Sequence, residues 1–305
     1  MFFHHPEMCY FAVVMRLKTF IICAFSLAAT ATLAQSTTFQ NAQGIVHKEV
    51  TFYNTEGYSI FLQELDLKLD EKGIAKIKKR FSIPKETVVT TDTDFPNAQI
   101  LTATDIKGES KTQSVYYLSQ PVQGKVKVIG FSTLCDRIKS IEKEFYEAIL
   151  TNSLPASIFT APQVDTITFA GRSIALGPAC HWMDVRNVQC PNLGQMNWSE
   201  FSSLERAKQM TAGQQALSAS RKMGEVLEET EVNIVFEGQE VKALKRKAKI
   251  KVPKLIMGGS NILIVYYVTA EVRGRYVSCV LSHYTDDVGA NKLPPLLSEV
   301  MQLKQ

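Results

Sequence analysis

The chain resembles itself at an offset of 150 residues, and no other feature constrains its fold as tightly. Val115-Tyr116-Tyr117 recurs as Val265-Tyr266-Tyr267, and in the same gapless register Val122, Gly124 and Ser132 match Val272, Gly274 and Ser282. Upstream, Ile100, Ile106, Gly108 and Ser110 match Ile250, Ile256, Gly258 and Ser260. These ten identities over residues 99–132 exceed the roughly two expected at ordinary residue frequencies. The chain therefore reads as a tandem duplication of one α+β unit, an antiparallel sheet with helices.

The matched glycines fall where antiparallel strands reverse, positions at which a backbone with φ > 0 is needed and glycine adopts it without strain. They divide the first copy into strands at 99–106, 112–122 and 125–132, and the second into strands at 247–256, 261–272 and 275–283. Gln123-Gly124 and Arg273-Gly274 are the corresponding turns, and Met257-Gly258-Gly259-Ser260 is a further hairpin turn rather than a phosphate cradle. Ile262 to Val268 is apolar on both faces, which suits a central strand covered on both sides.

Helical periodicity supplies the covers. Leu134, Ile138, Ile141, Phe145 and Ile149 recur at helical spacing up to Leu150, with Ser132 as N-cap. Asn197-x-x-Glu200 resembles a capping box and opens a long helical stretch over Ser199–Glu229. Leu296, Leu297, Val300, Met301 and Leu303 predict a closing helix, and Ile74, Ile77 and Phe81 a short basic one. The second half then runs strand 166–176, loop, helix, strand 231–237, three more strands and helix. This β-α-β-β-β-β-α order resembles the helix-grip and TBP-like class, a likeness of element order that transfers no activity. Residues 151–165, with Pro155 and Pro162, form the seam between a first unit at 35–155 and a second at 156–305.

At the N-terminus, Arg16 and Lys18 precede an apolar stretch from Phe20 to Ala29, followed by small residues at Thr32 and Ala34. This is the pattern of a secretory signal peptide over 1–34, with Met15 a better start than Met1. Its apolar core is shorter than the ~20 residues that a spanning helix needs. The expected product is exported, soluble, and periplasmic or extracellular. The formal net charge of +4 is too small to imply a nucleic-acid partner.

In an oxidising compartment the cysteines at 135, 180, 190 and 279 are candidates for disulfides. Cys180 and Cys190 are the expected pair, whereas Cys135 and Cys279 either pair with each other or remain buried thiols. The segment 180–198 holds both Trp residues of the chain and reads as a braced loop. His181, Trp182, Asp184, Arg186 and Trp198 are its candidate binding residues; the competing reading is a stapled crossover with its indoles packed beneath.

Other chemistry is sparse. His47, His181 and His283 are far apart with no helical pairing, so no metal site and no cofactor is expected. A Cys-His hydrolase built from Cys180 or Cys279 with His181 or His283 has no local signature. Asp286-Asp287 and Asp92 with Asp94 read as solvated turns. Lys245, Lys247, Lys249 and Lys251 lie at alternate positions of one strand, either as a contact for an anionic surface or as a solvated sheet face. The function expected is a non-catalytic binding or scaffold protein of the bacterial cell envelope, facing an envelope protein, glycan or lipid. The alternatives are a carrier of a small apolar ligand and a secreted hydrolase.

Overall fold

Hairpins dominate this protein because its turns carry residues at positive φ. Glu56-Gly57, Ala170-Gly171, Glu237-Gly238 and Arg273-Gly274 each place two successive residues in the left-handed region, as two-residue antiparallel turns demand. The computed structural model describes residues 37–160, 165–177, 179–190, 194–220, 224–251, 261–284 and 293–304. The expected signal peptide, the Met257–Ser260 turn and Asp286-Asp287 lie outside the described residues. Residues 1–40, with one helical turn at Thr37–Gln40 (α1), form one unit, and residues 41–305 form the other, described below.

The first sheet is built from β1 (Gln43–His47), β2 (Val50–Thr55), β3 (Tyr58–Leu65), β4 (Val89–Thr90), β5 (Ala98–Lys107), β6 (Ser110–Val122) and β7 (Lys125–Thr133). Its strands are antiparallel in the order β1-β2-β3-β7-β6-β5-β4. Helix α2 (Glu71–Arg80) follows β3, capped by the Asp70 carboxylate on the Gly73 N–H at 2.8 Å, with Lys78, Lys79 and Arg80 at the negative end of its dipole. It seats Ile77 on Leu65, Leu101, Leu118 and Val128. Helix α3 (Lys139–Leu150) follows β7 and belongs to a second layer of packing, in which Phe145 meets Tyr53 while Tyr146 meets Phe95 and Tyr117.

Glu142 of α3 is wholly buried, and a lone carboxylate there would cost several kcal/mol. It instead receives Tyr58 Oη at 3.1 Å, Tyr117 Oη at 2.7 Å, and Arg137 Nε and Nη2 at 2.8 and 2.7 Å. That arrangement ties α3 to β3 and β6.

The second half begins with a hairpin, β8 (Thr166–Phe169) and β9 (Arg172–Ala175). The second sheet comprises β10 (His181–Asp184), β11 (Asn187–Cys190), β12 (Gly194–Phe201), β13 (Gly224–Phe236), β14 (Gln239–Ile250), β15 (Ile262–Val272), β16 (Arg275–His283) and β17 (Met301–Leu303). Their order is β10-β11-β12-β16-β15-β14-β13-β17. Helix α4 (Leu204–Ser220) covers one face through β12, β15 and β16. The β8-β9 hairpin and α5 (Pro295–Ser298) cover the other, where Phe169 and Leu297 join Trp198, Val268, Val277 and Cys279. Strand β15 is thus buried on both faces, as its unbroken apolar run implies.

The protein is a mixed α+β fold rich in strand. Both halves follow one plan, in which three meandering strands lead to a helix, four more strands and a second helix. Ser59 of β3 faces Ser132 of β7, and Gln195 of β12 faces Ser282 of β16, the repeat partner of Ser132. The 150-residue offset holds for the placement of β6-β7 and β15-β16 and for their turn pairs, Val122 with Lys125 and Val272 with Arg275. A shift in the β6-β7 ladder between Ser119 and Val122 leaves Tyr117 facing Ile129 while Tyr267 faces Val280 rather than Cys279, and upstream the offset breaks. Tyr117 faces Ile100, but its counterpart Tyr267 faces Leu244 rather than Ile250. The strand expected at 247–256 is β14 at 239–250, since the β14-β15 connection is longer than the Gly108-Glu109 turn of the first half.

Several element boundaries also differ from expectation. The helix expected from Leu134 starts at Lys139, and Ser132 lies inside β7, where it pairs with Ser59 and Ser114. The Ser199–Glu229 helix is three elements. Asn197 and Glu200 belong to β12, and Val226 and Leu227 to β13, whose long ladder with β14 outweighs local helical spacing. The β-α-β-β-β-β-α order is present but starts at β12, because 166–176 folds as the β8-β9 hairpin. The closing helix is one turn, after which Met301–Leu303 pairs with β13. The described residues of the expected 180–198 loop fall mostly in three strands of the second sheet, at His181–Asp184, Asn187–Cys190 and from Gly194 onward.

A candidate binding junction between the sheets

The turn of the β2-β3 hairpin enters the second half at the start of α4. Ser202, just ahead of that helix, donates its N–H to both Glu56 carboxylate oxygens, at 2.9 and 3.1 Å, and its hydroxyl to one of them at 3.2 Å. A carboxylate here favourably faces the positive end of the α4 dipole. Arg206 of α4 donates back to the Glu56 carbonyl at 2.9 Å and to the Asp136 carbonyl at 2.8 Å.

Arg186, in the turn between β10 and β11, is buried and reaches across the same junction. Its Nη2 donates to the Asn41 carbonyl at 2.7 Å, Nε to Gln43 Oε1 at 3.4 Å and Nη1 to Asn54 Oδ1 at 3.4 Å. Glu200 lies 3.6 Å from its guanidinium, is itself bonded to Arg275, and accepts the Ala170 N–H at 3.2 Å. Burial pushes the Glu200 carboxyl up, but Arg186 and Arg275 together hold it below the usual range.

Two concavities flank the β10-β11 hairpin. The inner one, about 180 Å³, lies between the sheets and α4 and is lined by Asn54, Ser59, Thr112, Ser199 and Gln214 among others. Asp184, Arg186 and Trp198 also line it. The outer one, about 460 Å³, is lined by Ile45, His47, Phe52, Trp182, Met183 and Val185. Asp184 belongs to both, because the β10-β11 register shifts between Trp182 and Asp184. Its carboxylate accepts the Val185 N–H at 2.7 Å.

The five candidate binding residues therefore part company. Asp184, Arg186 and Trp198 line the inner cleft; Trp182 lines the outer groove, half-buried, and His181 is exposed opposite Gln189. Trp198 is fully buried with its ring edge-on to Phe169 at 5.8 Å. Cys180 and Cys190 form the expected disulfide across β10-β11, whereas Cys135 and Cys279 are free and buried. Burial pushes both thiols up, which keeps them protonated.

The lysine run lies elsewhere. Lys245, Lys247 and Lys249 occupy β14 opposite Thr230, Glu228 and Glu225 of β13, with Lys251 exposed just beyond. Lys242 pairs with Glu231 at 2.6 Å and the largely buried Arg246 with Glu229 at 2.6 Å, so the acidic partner strand offsets much of the positive charge. Among the described residues, no cluster of His, Cys, Asp and Glu is arranged for a metal, and no helix is long and apolar enough to cross a membrane.

Sequence reasoning missed Asn54, Ser59, Thr112 and Ser132. The signal was present: on the face where Phe61, Tyr116 and Val128 are apolar, the alternate positions toward the far end of the same strands are Ser59, Ser114 with Thr112, and Ser132. A face that changes from apolar to hydroxyl part-way along marks a wet edge of a layer.

No family model matches the chain, and no curated protein matches it. Among solved structures it is similar to the apo structure of the T6SS immunity protein TplEi from Pseudomonas aeruginosa, at 12% identity and TM-score 0.21, over 81% of this chain and 89% of that one. It is also similar to DynU16, a putative protein in the dynemicin biosynthetic locus, at 8% identity and TM-score 0.23, over 74% and 86% of the two chains. A third is the di-domain ARO/CYC StfQ from the steffimycin biosynthetic pathway, at 8% identity and TM-score 0.16, over 80% and 73%. Likenesses at this level say nothing about activity.

Proposed function

We propose that this chain is an exported, non-catalytic binding protein of the cell envelope that receives an apolar side chain of a partner macromolecule in the groove beside the braced β10-β11 hairpin. The observation that carries the reading is the groove itself. Half-buried Trp182 and exposed Met183 meet Ile45 and Phe52 across it, and the Cys180–Cys190 disulfide stiffens the strand that presents them. Apolar surface on a rigid edge, open to solvent, is the kind of patch that marks a partner site. The disulfide is compatible with export.

A carrier of an apolar ligand would need an empty apolar space between α4 and its sheet. Met210 and Ala207 instead pack on Phe201 and Cys135, and Thr211 bonds to Thr269 and Ser278, each at 2.7 Å. A Cys-His hydrolase would need an accessible thiol. Cys180 is oxidised, and Cys279 lies on the core face of β16 four residues from His283, a span of about 13 Å along a strand. The shared strand order and the equivalent turns at Gly124 and Gly274 also lead us to infer that the halves arose by tandem duplication.

The test is a photo-crosslinking amino acid at Met183, with a control at Lys249, in the native host. A discrete adduct from position 183 that is lost in Trp182→Ala is expected. Identical patterns from both positions, or no adduct at 183, would overturn the reading.

A further inference from the structure

We infer that the inner cleft between the two sheets is a second binding site, for a neutral polyhydroxylated ligand such as one sugar residue. Two kinds of wall support this. One is polar: the Oδ1 atoms of Asn54, Asn187 and Asn197 accept from Arg186, Gln195 and Gln214, which leaves the three carboxamide NH₂ groups as donors without a partner among the described residues. Ser59, Thr112 and Ser199 add hydroxyls that engage no other described residue. The other wall is apolar, from Leu134, Met210 and Leu217.

The charge pattern selects among ligands. Arg186 is the cationic side chain lining the cleft, and its guanidinium is already shared among Asn41, Gln43, Asn54 and Glu200. An anion would gain no uncommitted cation and would meet Asp184 at the rim. An apolar ligand would strand the three amide donors and three hydroxyls, each of which would lose its hydrogen bonds to water and gain none. A sugar ring offers hydroxyls at its edge and C–H groups on its faces, which matches walls of these two kinds. At about 180 Å³ the space suits one ring rather than a chain.

The Trp198 indole lies on the opposite face of β12, against Phe169, so binding is read by isothermal titration calorimetry rather than by emission. The mature protein would be titrated with D-glucose and N-acetyl-D-glucosamine as free sugars, chitotriose as a glycan end, and citrate and octanoate as charged and apolar competitors. A saturable heat of binding with at least one sugar probe is expected, with none from citrate or octanoate. Binding of chitotriose but not of the monosaccharides would identify a glycan terminus as the source. Asn197→Ala should weaken binding about tenfold, as loss of one good hydrogen bond does. Ser59→Phe, at an exposed position that leaves the core intact, should abolish it by filling the cleft. Saturation by citrate or octanoate in place of sugar, no saturation by any sugar, or sugar binding untouched by Ser59→Phe would overturn the inference.

Discussion

Gly57 approaches Phe201 so closely that a methyl group on its Cα would lie 2.6 Å from the ring Cε1 and 2.8 Å from Met210 Cε. Gly57 is in the β2-β3 turn and Phe201 ends β12, so this contact sets how deeply one half seats in the other. At φ +76° an L side chain is also strained.

Gly57→Ala should therefore cost both penalties, about 1–2 kcal/mol for the left-handed backbone and about 1–3 for overpacking. Gly124→Ala is the control, because it has φ +84° with nothing within 4 Å of the added methyl. It should lose only the backbone part. Urea unfolding of both variants checks this; equal losses would show that the Phe201 contact is relieved without cost.

Arg186→Met should be more damaging than any surface change. It removes a buried cation from four acceptors and leaves Asn41, Gln43 and Asn54 under-satisfied, a loss of about 3–5 kcal/mol for a broken buried ion pair. Adding Glu200→Gln should cost less in that background than alone, since the Arg186–Glu200 ion pair is already broken and only the Arg275 pairing is left to lose. Additive losses in the double mutant would disprove the coupling.

Acid should unfold the protein through Glu200 and Glu237. Burial pushes each carboxyl up, but paired arginines, Arg186 with Arg275 and Arg172 with Arg273, hold both below the usual range. A carboxyl depressed in the folded state contributes its full stability above its unfolded value, near 4.3, and loses it as pH falls through the lower folded value. Stability measured from about pH 7 to about pH 3 should drop below pH ~4.5, with a shallower slope in Glu200→Gln. An unchanged slope would remove Glu200 from the account.

Much of the fold could be read from the chain. The Val-Tyr-Tyr repeat and its glycines located β6, β7, β15 and β16 to within a residue or two, because period-2 burial and φ > 0 turns are local signals. What failed depended on distant partners. Val226 and Leu227 carry helical spacing, yet the β13 ladder with β14 claims them, and Asn197 caps nothing because β16 pairs with its strand. The candidate site was legible only in part. Asp184, Arg186 and Trp198 stood out by type, but the hydroxyls opposite them come from β3, β6 and β7, which nothing in local sequence brings beside β12.

Reducing the Cys180–Cys190 bond should loosen the hairpin that separates the two concavities. For a loop of this size, the Cys180→Ser, Cys190→Ser double variant should lose about 2–3 kcal/mol. Hydrogen exchange should rise over β10 and β11 while β15 stays protected. Uniform exchange across both sheets would show instead that the disulfide holds the whole half together.

The strand orders described above also govern how the chain reaches this state. β3 joins β7, and β12 joins β16, only after the intervening helix and three more strands have been traversed, so each sheet is completed by one long-range closure. The entropy of each closure is lost before the contacts it creates are gained. Refolding from denaturant should accordingly take on the order of milliseconds to seconds, with fast formation of local hairpins and slow capture of β3 and β12. The Glu56 clasp onto Ser202 joins residues 146 apart in the chain, a longer closure than either sheet needs, so docking of the halves should be a late event on the path.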